Sequence, residues 1–420
     1  MKHAFASVAA LLISVAILMT GSGQQGTLLP VRAGLEAFST VAIGLIGAAY
    51  FLGFTIGCLK GGELVKSVGH VRVFLAMTAL GSAAPLMHGL ILHPFAWVLL
   101  RLLSGFCFAV LFLVIESWLN ERSSNENRGI VFSTYVMITL TVLAVGQMMT
   151  LLYPAEGLEL FLIASVLVSI GAIPVALSTA VSPEQPTDVE VNLPRLFRIS
   201  PAGTMGCLAT GIANGAFWSL APVFTADVSG DTSLAAWFMS ATVVGGAVAQ
   251  WPLGYLSDRI GRRKTLAGAA FSAAVIAAFI LAFHDSLGFL SVNLLGAAWG
   301  FFAFPMYAIA VAHANDNAEP TDYVMVSSGL LLVYGGGAVA GPFVASAVMT
   351  LTGGYGLYIL TGATHLLAAA YVIQRILRRE SVPAEKHCTF GDALATAHTA
   401  SSVYEEEYLH HVEDEARSPG

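Results

Sequence analysis

Arg101 is the only lysine or arginine inside an apolar stretch long enough to span a membrane, in the string Arg101-Leu102-Leu103-Ser104-Gly105. A guanidinium keeps its charge in any protein setting, so its position decides its chemistry. Two readings stand. Turned inward, it binds an anionic group or tunes a proton site. Turned outward, its stem snorkels and carries the charge to the headgroups. At the bilayer centre that charge costs about 2.5–3.5 kcal/mol on the insertion scale, so an inward position needs a use. Glu116 is the acid deepest in a span. It lies about 22 Å further along the same helix, too far to pair with Arg101, and is expected to meet Lys66 or Arg72. A proton-carrying role for Glu116 comes second. No other carboxylate falls at mid-span, which leaves proton coupling open through Glu116, through His313 or His365, or through no ion at all.

A second concentration of charge is the string Gly254-Tyr255-Leu256-Ser257-Asp258-Arg259-Ile260-Gly261-Arg262-Arg263-Lys264. It is a short turn between two apolar runs, read as a loop of about ten residues. Glycine permits the bend, and the bases hold it on the cytoplasmic side. Topology needs bases but no acid, so Asp258 implies a further role; its alternative role is to cap a helix. Neutral polar residues recur in other runs: Gln24, Gln25, Asn214 and Asn293. Each needs a buried partner, either a neighbouring helix or a bound molecule. Trp218, Trp299 and Tyr307 could stack on a ligand or simply pack.

These residues must be positioned by membrane helices. The chain has 420 residues, 56% hydrophobic and 11% charged, with a mean hydropathy of +0.76. Soluble domains carry about 25% charged residues. Apolar runs of spanning length fall near 5–27, 37–59, 72–92, 95–119, 129–153 and 158–181, then near 201–226, 233–254, 264–284, 286–311, 323–350 and 354–377. Period-2 alternation is missing, which argues against a barrel. With both termini inside, every lysine and arginine outside the spans except Arg32 is cytoplasmic, a strong positive-inside bias. The net charge of −7 resides in the tail, where nine acids face only Lys386 and Arg417. Cys58, Cys107, Cys207 and Cys388 have no metal-like spacing. Met1–Thr20 reads as a retained first span rather than a cleaved signal. The expected fold is therefore an all-α integral membrane protein of twelve transmembrane helices in two six-helix bundles. Residues 1–181 form the N-terminal bundle, 182–200 a cytoplasmic linker, 201–379 the C-terminal bundle and 380–420 an acidic cytoplasmic tail. Glu405-Glu406-Glu407 and His410-His411 in that tail read as solvated charge rather than a metal site.

At this point the chain resembles the major facilitator superfamily over about residues 1–379. The turn from Gly254 to Lys264 is similar to that family's signature loop: Gly, three residues, Asp-Arg, one residue, Gly, one residue, two bases. The corresponding first-half string, Gly57 to Arg72, keeps glycines and bases but loses the Asp-Arg pair. Arg101 to Gly105 resembles the family's Arg-x-x-Gln-Gly element, with Ser104 for Gln. Gly337-Ala338-Val339-Ala340-Gly341-Pro342 resembles its Gly-x-x-x-Gly-Pro element, for which Gly337, Gly341 and Pro342 would serve helix packing. The first, fourth, seventh and tenth helices line the family's central cavity. That makes Arg101, Gln24, Gln25, Asn214, Trp218 and Asn293 the candidates for substrate contact or coupling. The resemblance also implies a cytoplasmic gate of Gly254, Asp258, Arg259, Gly261, Arg263, Lys264, Glu116 and Asp316. In it, Asp258 would sit near the start of helix eleven and Arg259 would pair with Asp316.

The function expected is secondary transport of a small molecule across the inner membrane, by alternating access between the bundles. A non-transporting sensor on the same fold is the alternative. A membrane-embedded enzyme comes behind it, since no His-Glu-x-x-His, nucleophile setting or Walker loop is present. No cofactor and no nucleic-acid partner is expected. The partners are the bilayer and the small molecule, and the protein is expected to act as a monomer.

Overall fold

In a computed structural model of the chain, residues 2–123, 128–177 and 191–378 are described. The expected acidic tail and residues 182–190 of the expected linker lie outside them. Twelve helical segments are long and apolar enough to cross a membrane, and among the described residues there is no strand. The reason is that a backbone in hydrocarbon must satisfy its own hydrogen bonds.

The first bundle contains α1 (Lys2–Leu35), α2 (Thr40–Val68), α3 (His70–Leu90), α4 (Pro94–Glu121) and α5 (Arg128–Met148). Its sixth span is broken into α6 (Glu159–Ile170) and α7 (Ile173–Ala176). The short α8 (Leu193–Ile199) follows. The second bundle contains α9 (Pro201–Ser229), α10 (Ser233–Ile260), α11 (Arg262–Ala282), a tenth span of α12 (Phe289–Ala303) and α13 (Met306–Asn315), then α14 (Tyr323–Thr352) and α15 (Gly356–Arg378). Several helices outrun the expected spans, α1 reaching Leu35 and α10 reaching Ile260. The tenth span, expected as one helix, breaks before α13, where Pro305 offers no N–H and crowds the preceding turn.

The largest correction concerns the charged turn. The expected ten-residue loop does not exist. Helix α10 runs through Asp258 and Arg259, and Gly261 alone, at φ +99°, separates it from α11. Gly69, at φ +92°, does the same between α2 and α3. Both backbones sit in a region closed to most side chains.

The two bundles repeat one another down to single contacts. A methyl group built on Gly53 would fall on the Leu102 carbonyl, and one on Gly105 on the Tyr50 carbonyl, locking α2 against α4. In the second bundle Gly245 meets the Ala297 carbonyl and Gly300 the Thr242 carbonyl, locking α10 against α12 with the same spacing. A second pair of crossings repeats likewise. Gly23 and Gly146 join α1 to α5 through the Leu143 and Thr20 carbonyls, as Gly215 and Gly341 join α9 to α14 through the Ala338 and Ile212 carbonyls. Gly337 adds a contact to the Leu208 carbonyl, and Pro342 lies inside α14. Small residues let membrane helices approach this closely.

Helix α2 packs on α9 and α14, and α5 on α10, across the boundary between bundles. Gly44 lies against Ser346, Gly47 against Ser219 and Gly335 against Thr55. The Ser240 hydroxyl donates to the Ala144 carbonyl at 3.0 Å. These contacts run from mid-span toward the face opposite the termini. At the terminal face α8 docks on α14, with Leu196 beside Gly329 and Arg195 paired with Asp322 at 2.8 Å.

Candidate functional site

The α2–α4 crossing decides where Arg101 points. With Gly105 pressed on the Tyr50 backbone, the Tyr50 ring lies under the guanidinium, whose Cζ is 4.1 Å from the ring centroid. Ser22 on α1 is within hydrogen-bonding reach of the Tyr50 hydroxyl. Among the described residues no carboxylate forms an ion pair with Arg101. Arg101 lines a small pocket between the bundles. Its walls are Gly26, Leu29, Pro30 and Ala33 of α1, Ile43, Ile46 and Gly47 of α2, and Trp218 and Ser219 of α9. Tyr50 escaped the sequence reading. The paired glycines at 53 and 105 were the available signal.

The other cavity candidates separate. Trp218 stacks on Phe304 at 5.6 Å, with an interplanar angle of 17°, and presents itself to the pocket. Asn214, one turn earlier on α9, is buried with its Oδ1 unpartnered and bonds toward Tyr334. Gln25 is buried with an unpartnered Nε2; helical spacing places it on the α1 face of Ser22 and Leu29. Gln24 faces elsewhere, since its Nε2 donates to the Leu160 carbonyl of α6 at 3.1 Å. Asn293 turns back on its own helix and donates to the Phe289 carbonyl at 2.7 Å. Ser104, in the place of the resembled Gln, also bonds back, to the Leu100 carbonyl. Trp299 is sealed within the second bundle, stacked on Phe217 at 5.1 Å and edge-on to His365. His365 bonds the Thr361 carbonyl through Nδ1 at 2.8 Å, and His313 is tied to Asn317 at the end of α13. Tyr307 packs on Tyr334, with centroids 4.8 Å apart.

At the terminal face the charged turn is built differently from the expected gate. Arg262, the first residue after Gly261, is the hub. Its side chain is 2% exposed and pairs with Asp316, itself 1% exposed, through Nε at 3.3 Å. Its Nη1 pairs with Asp258 and donates to the Ser257 hydroxyl at 2.6 Å. Ser257 in turn donates to the Gly254 carbonyl. So Arg262, absent from the expected set, takes the Asp316 partner expected for Arg259. Arg259 instead lies exposed over the Tyr255 ring, 4.5 Å from its centroid. Asp258 meets α11 rather than helix eleven of the chain's twelve. Arg263 donates to the Arg375 carbonyl near the end of α15 at 3.3 Å, where a cation suits the helix dipole. Lys264 is exposed.

The matching first-half turn carries Lys66 and His70 where the second carries Asp258 and Arg262. His70 is buried and lies 3.3 Å from the Ser117 hydroxyl through Nε2. Glu116, expected to meet Lys66 or Arg72, accepts a hydrogen bond from the Tyr135 hydroxyl of α5 at 2.9 Å, with both groups buried.

Twelve helices in two repeating bundles with a pocket at their boundary define a polytopic all-α fold, and solved structures share it. The nucleoside transporter NupG superposes with a TM-score of 0.75 at 13% identity, covering 89% of this chain and 99% of that one. A single-site variant of NupG gives 0.77 at 14% identity, covering 88% and 99%. Residues 203–397 match the model of the Major Facilitator Superfamily. The MFS-type transporter YcaD of Escherichia fergusonii is 26% identical over 342 residues, 81% of this chain and 88% of that protein. YcaD of Salmonella arizonae is 25% identical over 341 residues, with the same coverage. The second half of the chain thus matches the superfamily's model, and the chain as a whole is similar to MFS-type transporters.

Proposed function

We propose that the protein is a secondary transporter that moves a small molecule across a bacterial inner membrane by alternating access. The observation that carries this reading is the Arg101 pocket. It is lined by α1, α2 and α4 of one bundle and α9 of the other, so rocking the bundles would open and close it. The pocket lies toward the side where the bundles touch, which suits a state closed at the face opposite the termini. The basic residues put the terminal face in the cytoplasm. Arg262, Asp258 and Asp316 would then work as a cytoplasmic clamp within the second bundle. The bundles would extend over residues 1–181 and 201–379, joined by the linker at 182–200, with the acidic tail at 380–420. Glu116, held by Tyr135, is the spanning carboxylate that would take a proton if transport is proton-coupled.

One-sided access tests the proposal. A variant with Cys58, Cys107, Cys207 and Cys388 changed to alanine and Ser219→Cys added is prepared in right-side-out and inside-out vesicles. A membrane-impermeant maleimide should label it from one side under any single condition. Equal labelling from both sides describes a pore, and labelling from neither describes packing; each removes the alternating-access reading.

A further inference from the structure

Resting on the transport reading, we propose that the Arg101 pocket takes a monovalent organic anion with an apolar body, such as a small carboxylate. Three observations converge on this ligand. First, Arg101 is a cation within a span, held only by the face of Tyr50, with no hydrogen-bonded or ionic partner among the described residues. A cation–π contact offsets part of its desolvation but leaves its N–H donors unmet. A carboxylate would meet two of those donors at once in the planar fork geometry that guanidinium favours. Second, the rest of the pocket is apolar or small: Leu29, Ile43 and Ile46 on one side and the indole of Trp218 on the other. Third, the single hydroxyl in the wall, Ser219, comes from the opposite bundle, where it can donate to the same anion and link ligand to bundle closure.

Charge counting sets the valence. One guanidinium neutralises one negative charge, whereas a dianion would leave a net charge in a low-dielectric site. A cationic ligand would add to the charge already there. Size sets the upper limit, because the free space between these walls is small and a bulky ligand would have to force the bundles apart. The repeat supplies a control within the molecule. At the matching place on α12 the chain has Gly296, packed on Phe238, so the charge belongs to one bundle only.

The test uses the full chain purified in detergent, with binding read by calorimetry and by the shift in melting temperature. Benzoate and hexanoate should bind and stabilise it. Benzamide, hexanol and benzylamine should bind about tenfold more weakly or worse, in line with the loss of a charge-assisted pair. Arg101→Gln should weaken benzoate binding by a similar factor, with Arg101→Lys falling between. Equal binding of benzoate and benzamide by the unmodified protein overturns the proposal without reliance on any variant folding. So does chloride competing as strongly as benzoate, since a site for inorganic anions would make no use of the apolar wall. Proteoliposome uptake of radiolabelled benzoate separates the two readings. Benzoate that binds but is not carried removes the transport reading and leaves the anion pocket standing. One-sided Ser219→Cys labelling in a protein that ignores benzoate does the reverse.

Discussion

The α2–α4 crossing and the α10–α12 crossing are the same piece of architecture with its charges dealt differently. Each pair is locked by two glycines set on the partner's carbonyls, and each leads into a turn made by one positive-φ glycine, Gly69 or Gly261. The first crossing places a cation inside the membrane with an aromatic face and no carboxylate. The second leaves that place to Gly296 and puts its cation, Arg262, at the terminal face between two carboxylates. A charge without a counter-ion is free to recruit one from a ligand. A charge already paired holds helices together. On the proposed reading, the repeat separates binding from clamping and uses one backbone plan for both.

The largest expected effect breaks the clamp. Arg262→Ala removes a cation that pairs with buried Asp316, and removing one partner of a buried pair costs about 3–5 kcal/mol. The matching change, His70→Ala, breaks no ion pair among the described residues; it loses the Ser117 contact and ring packing on Trp118 and should cost about 1–2 kcal/mol. Melting temperatures of both variants in detergent check the contrast. Asp316→Asn should restore part of the loss in the Arg262 variant, because it removes the buried negative charge. Equal losses at 262 and 70 would dissolve the distinction between the halves.

Next comes the one carboxylate deep in the first bundle. Tyr135→Phe withdraws a hydrogen bond from Glu116, and bonds to charged groups contribute about 1.5–3 kcal/mol. The loss should fall on the first bundle, which holds both partners. It is read in the variant's melting curve, with Glu116→Gln in the same background as the check. If the carboxylate is what makes the bond matter, Tyr135→Phe should cost less once Glu116 is neutral.

The glycine locks should respond alike, which sharpens the comparison from the other side. Gly53→Ala and Gly245→Ala each drive a methyl group into a carbonyl oxygen, Leu102 or Ala297. Forcing the helices apart by that amount should cost about 1–3 kcal/mol at either site. A difference in melting temperature much larger than the error between the two variants would mean that the crossings only look equivalent.

How much of this was legible in the sequence follows from what each level of structure depends on. The spans were legible because hydrocarbon demands long apolar runs, and the turn glycines because few other residues fit their backbone. The helix ends were not. Composition turns polar near Ser257, but the helix continues to Ile260, since its last turns can protrude beyond the hydrocarbon and still bond internally. That extension decides which base meets Asp316. Gly261 turns the chain between α10 and α11, so Arg259, at the end of α10, is exposed while Arg262, at the start of α11, is buried. The sequence placed Arg101 in a span but could not choose between a snorkelling and an inward side chain. The contact Arg101 makes is with Tyr50, one helix away, through a crossing that only the paired glycines hinted at.

The smallest expected effect bears on the charge that the resembled signature makes prominent. Arg259 shares its pattern with Asp258, yet it lies exposed over Tyr255, where a cation–π contact contributes about 0.5–1 kcal/mol. Arg259→Gln should therefore lower the melting temperature far less than Arg262→Ala, and Tyr255→Leu should match it. Topology gives Arg259 a second use, as one of several bases around the turn, and the remaining Arg262, Arg263 and Lys264 should preserve the orientation of the chain. Both expectations are read from the same preparation, by melting and by protease access in oriented vesicles. A loss at Arg259 as large as at Arg262 would place the clamp's cation at the end of α10 rather than the start of α11, and would return the turn to the pairing its sequence first suggested.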